Sequence, residues 1–172
     1  MKAIIKHLFL VSMLLWCGCA GWTINGVPCE RFKNMTAADA GYVSAGIAAS
    51  FAAHWIGHVA TAELLGYDWH QEGLNEVVYP PTTDSGMAWF GRSGFLSQLF
   101  IGGAIKYGPW SNDFKRGNFA TGYHAGTVME VVTYPVDIGC RGDLDLIDRN
   151  SDGMAEWFGY SVFSFMLLDP EG

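Results

Sequence analysis

The pattern of apolar and polar positions divides the chain into an N-terminal leader and a single helical domain. Leu8 to Trp16 is apolar except for Ser12, is preceded by Lys2 and Lys6, and is followed by the small-residue run Cys17-Gly18-Cys19-Ala20-Gly21. A positive start, a short apolar stretch and small residues predict a secretory signal; a bilayer-spanning helix needs about 20 apolar residues. Further on, Thr36-Ala37-Ala38-Asp39 has the form of a capping box with Asp in place of Glu. It opens a helix that runs without Gly-Pro punctuation to Leu65-Gly66. Gly41 to Ala62 contains no Lys, Arg, Asp or Glu, and Ala45, Ala49, Ala53 and Gly57 form a four-residue ridge of small side chains against which another helix can pack closely.

From Tyr67 to Ser85 the composition turns polar and includes Pro80-Pro81, which predicts a loop or small hairpin with Val77-Val78-Tyr79 as a short strand. Three more helices are expected, over about 87–107, 121–133 before Pro135, and 154–168 before Pro170. The fold class is therefore mainly α, about four helices in one domain spanning 20–172, with residues 1–19 as the signal peptide.

Composition narrows the function classes. Of 172 residues 50% are hydrophobic, 15% aromatic and 16% charged, with a formal charge of −7, so the chain is not disordered and lacks the basic clusters that nucleic-acid binding requires. Loss of a leader containing Lys2 and Lys6 makes the domain more acidic still. The mature chain keeps Cys29 and Cys140, which either pair as a disulfide in an oxidising compartment or remain as two buried thiols. No GxSxG, Walker or dinucleotide signature is present. The tryptophans read as core or bilayer-interface residues, and the Arg92 to Gln98 segment places two polar side chains where they can meet helix carbonyls or a site.

The chemistry centres on His54-Trp55-Ile56-Gly57-His58. Histidines at i and i+4 share a helix face and can direct their imidazoles at one cation. With Ala52-Ala53 before it and Val59-Ala60 after it, the segment resembles the HExxH helix of the zincin metalloproteases, including membrane-embedded ones. The resemblance covers about a dozen residues and implies that His54 and His58 are zinc ligands. The residue that serves those enzymes as general base is Trp55 here, so it also implies an inactive relative more readily than a peptidase. Glu63 lies on the wrong side of the helix to replace it. Glu130 and His124, polar residues in the apolar Phe119 to Val132 stretch, are the leading candidates for further ligands, with His70 behind them.

Two other motifs carry expectations. Asp148-Arg149-Asn150-Ser151-Asp152-Gly153 matches the first half of a calcium loop, with oxygen donors Asp148, Asn150 and Asp152, and with Asp143, Asp145 and Glu156 nearby; the competing reading is an acidic turn in which Asp152 caps the last helix. Gly18-Cys19-Ala20 resembles a bacterial lipobox, which implies a lipid anchor on Cys19. Together these readings describe an exported, membrane-anchored metal-binding protein of the cell envelope, with zinc as the expected metal. The competing descriptions are a non-enzymatic envelope lipoprotein with a protein partner, and a small integral membrane protein.

Overall fold

The structure is a computed structural model of the chain, and it describes residues 23–24, 27–28, 34–72, 75–133, 142–148 and 150–168. The signal and lipobox segment, Cys29 and Cys140 lie outside the described residues. The fold is mainly helical. In chain order its elements are β1 (Thr23–Ile24), β2 (Val27–Pro28), α1 (Ala37–Leu65), β3 (Trp69–Glu72), β4 (Asn75–Val78), α2 (Asp84–Tyr107), α3 (Asn112–Lys115), α4 (Asn118–Thr133), α5 (Gly142–Ile147) and α6 (Gly153–Leu168). Strands β1 and β2 form one antiparallel pair, and β3 and β4 a second in which Trp69 faces Val78 and Glu72 faces Asn75.

Helix boundaries follow local chemistry. The Thr36 hydroxyl accepts from the Asp39 amide at 3.2 Å while the Asp39 carboxylate accepts from the Thr36 amide at 3.1 Å, so the expected capping box starts α1. Gly66 ends it in the left-handed region at φ 68°, where its own amide and that of Tyr67 reach back to Glu63 and Ala62. Helix α2 begins at Asp84, earlier than the apolar periodicity indicates, because the Thr83 hydroxyl caps the Gly86 amide at 3.0 Å. The expected polar segment forms the β3–β4 hairpin, and α3 and α5 are short helices that no apolar period announces.

Helices α1 and α4 approach until backbone meets backbone. A Cβ on Gly122 would lie 2.1 Å from the Val43 carbonyl oxygen, and one on Gly46 equally close to that of Phe119. The contact with α4 is made by Gly46 and Ser50, and of the expected ridge Ala45 is exposed, while Ala53 and Gly57 are buried and Gly57 brings α1 against the Ser93 carbonyl of α2. Two apolar clusters fill the interior. Ala53, Ile105, Ala120 and Tyr123 form one, and Phe95, Val131 and Ile147 form the other, with Trp157 and Tyr160 packed against it. The second cluster brings α5 and α6 beside the histidine-bearing part of α1, and the Trp157 indole donates to the Val131 carbonyl at 2.7 Å.

Candidate metal centre

His54 and His58 stand one turn apart on the buried face of α1, with relative exposures of 7% and 2%. Asp143, from the first turn of α5, reaches between them. The three facing atoms form a small triangle: His58 Nε2 to His54 Nε2 is 2.9 Å, His54 Nε2 to Asp143 Oδ2 is 3.1 Å, and His58 Nε2 to Asp143 Oδ2 is 3.2 Å. Ligands about 2.0–2.1 Å from a tetrahedral cation stand roughly 3.3 Å from one another, so the triangle is close to the size that a bound zinc ion imposes. A buried group able to hold a metal ion is therefore present, made of His54, His58 and Asp143.

The far side of each imidazole is held as well. His58 Nδ1 lies 2.7 Å from the Phe90 carbonyl oxygen, an acceptor only, so Nδ1–H donates there and Nε2 is turned toward the triangle. His54 Nδ1 faces Gln98 Oε1 at 3.3 Å and Glu130 Oε1 at 3.5 Å. The Gln98 amide in turn donates to Glu130 Oε2 at 2.6 Å and to the Ser50 hydroxyl at 2.8 Å, fixing the carboxylate and the amide together. The rings of Phe90 and Phe95 pack on His58 and His54 at centroid separations of 4.7 and 5.2 Å and contribute to the burial of both imidazoles.

Charge follows this enclosure. Burial by itself lowers the His54 imidazole, but the Glu130 and Asp143 carboxylates outweigh it and hold the group up at about 9. Burial raises the Asp143 carboxyl, and the two histidines more than reverse that, leaving it below its ordinary value. Burial dominates at Glu130 and raises it despite His54. Without a metal, a proton on His54 balances Asp143; a cation occupying the triangle would take over that role.

Glycines on α2 make the closure sterically feasible. A Cβ on Gly94 would stand 2.5 Å from Nε2 of both histidines, and one on Gly91 2.6 Å from the Asp143 carbonyl oxygen. Any larger residue at these positions would intrude on the ligand tips or lift α5 from α2.

The structure thus unites His54 with His58 and brings Glu130 to the Nδ1 side of His54, behind the triangle. His124 is placed elsewhere. It is fully buried on α4 beside Tyr123, neither ring nitrogen has a hydrogen-bond partner among the described residues, and burial together with Lys106 lowers its pKa to about 4. His70 stacks on Tyr79 in the hairpin, and Glu63 accepts from the Trp69 indole at 2.8 Å. Trp55 leaves no carboxylate at the position next to His54, and its ring packs edge-on against Trp69.

In the acidic turn, Asp148 accepts from the Gly153 amide at 2.6 Å and Asp152 caps α6 through the Ala155 amide at 3.0 Å, while Asn150 is exposed. These side chains shape the turn. Asp143, the third member of the group, is legible in the sequence only as an acidic neighbour of that turn, since 89 residues separate it from His54. Gln98 is the polar residue of the Arg92 to Gln98 segment that meets the site.

Comparison with protein families, curated proteins and solved structures finds no match to this chain.

Proposed function

We propose that this is an exported, membrane-anchored metal-binding protein whose domain holds one divalent transition-metal ion, zinc by its donor set, on His54 Nε2, His58 Nε2 and Asp143 Oδ2. The observation that carries the reading is the convergence of three ligand atoms whose supporting groups, the Phe90 carbonyl behind His58 and Glu130 with Gln98 behind His54, are already in place. Two imidazoles and a carboxylate suit zinc, and ferrous iron is the main competitor for such a set.

The ion acts as a cross-link in this reading. Helix α5 has six residues, too few to be stable alone, and a metal bond from Asp143 ties it to α1. Peptide hydrolysis is disfavoured. It requires a base on the side of the ion where water would bind, and Glu130 instead faces Nδ1, the opposite edge of the His54 ring. The zincin resemblance then describes a metal-holding helix without the catalytic step.

Metal analysis of the purified protein, with the absorption edge identifying the element, tests this directly. The expected result is about one zinc per chain, lost in both the His54→Ala/His58→Ala and the Asp143→Asn variants. Substoichiometric zinc, equal in the wild type and both variants, would overturn the proposal.

A further inference from the structure

Helices α2 and α6 bury an apolar face, including Phe90, Phe95, Leu99 and Leu167, yet also carry large apolar side chains on their outer face. Buried positions there and on α4 include Gln98, Thr121, His124, Thr127, Ser161 and Ser164. The outer faces carry large apolar side chains: Phe100 is 78% exposed, Phe158 65%, Phe165 53% and Met166 52%, with Ile101 and Val162 beside them. In water the hydrophobic effect opposes such exposure, and contiguous apolar patches of this kind mark a contact surface.

Phe158, Val162, Phe165 and Met166 recur at helical spacing along one stripe of α6. An open groove of about 510 Å³ joins α6 to α2 between Phe163 and Phe100, over Leu99 and Tyr160.

Charge identifies the occupant. Helix α2 has no charged residue between Arg92 and Lys106, and α6 has none from Trp157 to Leu168. The charged groups at the ends of the apolar zone are engaged within the protein, each beside an exposed aromatic: the Arg92 side chain is 12% exposed, pairs with Glu156 at 2.8 Å and lies 5.4 Å from the Trp89 ring centre, and Lys106 donates to the Met166 carbonyl and lies 5.6 Å from the Tyr107 ring centre. Trp89 and Tyr107 are each more than half exposed, and Trp110 at the Lys106 end likewise. Aromatic groups with polar tips at both ends of a charge-free band are the arrangement that a lipid headgroup boundary selects. The apolar leader, Leu8 to Trp16, and Cys19 precede α1 by fewer than 30 residues, so anchoring at either would keep the domain at a membrane.

No helix among the described residues is long and apolar enough to cross a membrane. Averaged hydropathy along α2 is diluted by its own packed face, Gly86, Gly91, Gly94, Gln98 and Gly102, which lipid would never meet. We infer that the exposed face of α2 and α6 is a lipid-contacting surface that beds in the acyl layer of the membrane to which the chain is anchored.

The test uses the full wild-type chain in phosphatidylcholine–phosphatidylglycerol vesicles containing a phospholipid with a photoactivatable acyl chain. After illumination, adducts are mapped by mass spectrometry and zinc is measured on the same sample. Adducts should concentrate at Phe100, Ile101, Phe158, Val162, Phe165 and Met166, and spare Leu64, which is 87% exposed but lies beside Glu63. A Phe100→Ser/Phe158→Ser/Phe165→Ser variant should lose at least tenfold in labelling of these helices while keeping its helical content. Labelling of Leu64 equal to that of α2 and α6, or labelling unchanged in the triple variant, would each overturn the inference. Lipid adducts without zinc would leave this surface standing and remove the metal centre, and zinc without lipid adducts would do the reverse.

Discussion

His54 and His58 are neighbours because an α-helix returns a side chain to nearly the same face after four residues, and that much depends on sequence alone. What they face depends on Gly94. Its missing Cβ leaves the space into which both Nε2 atoms point, so Gly94→Ala places a methyl group 2.5 Å from each. The expected outcome is loss of zinc together with a destabilisation of about 1–3 kcal/mol, the usual cost of overpacking. Stoichiometric zinc in that variant, measured alongside a urea titration, would refute the placement of the site. Glu130 acts at one remove, by holding the His54 ring. In Glu130→Gln the stoichiometry at saturating zinc should persist while affinity falls roughly 10–100-fold, as read by competition with a chelator; unchanged affinity would deny Glu130 that role. The sequence marks Glu130 as a charge in an apolar stretch. It cannot say that the charge stands behind His54, because that follows from how α4 lies against α1 and α2.

Elements were legible where local chemistry defines them. Thr36 with Asp39, Gly66 and Asp152 fix helix ends through hydrogen bonds spanning a few residues, and the four long helices fall close to where periodicity and caps put them. Helix α5 escaped notice because six residues cannot show an apolar period and its stability comes from packing on α2 and α6. The joint between α2 and α6 adds an ion pair to its apolar packing: Arg92 donates twice to Glu156 at 2.8 Å, and Tyr160, on the same helix as Glu156, donates to that carboxylate at 3.0 Å. The Arg92 hydrogen bond is the main reason the Glu156 carboxyl is held down at about 2, against an ordinary 4.5. A depressed folded-state pKa contributes stability that is present above about 4.5 and is lost as pH falls toward 2. Denaturation midpoints should therefore drop more steeply across that window in the wild type than in Glu156→Gln; parallel profiles would show that the pair contributes nothing to the joint.

For the whole molecule, the proposed anchor and the proposed metal centre can be tested separately. Cys19→Ser should abolish palmitate labelling and leave zinc content intact, whereas labelling that persists in the variant would exclude Cys19 as the acceptor. By itself the sequence determined the helical class, the places where the long helices start and stop, the acidic and charge-poor character of the domain, and the histidine pair, because each depends on composition or on contacts between residues close in the chain. Only the tertiary structure decided that Asp143 meets the pair, that Glu130 stands behind His54 while His124 lies apart, and that the large apolar side chains of α2 and α6 point outward. Those outcomes arise from contacts across many tens of residues, set by how closely glycine-lined helices can approach.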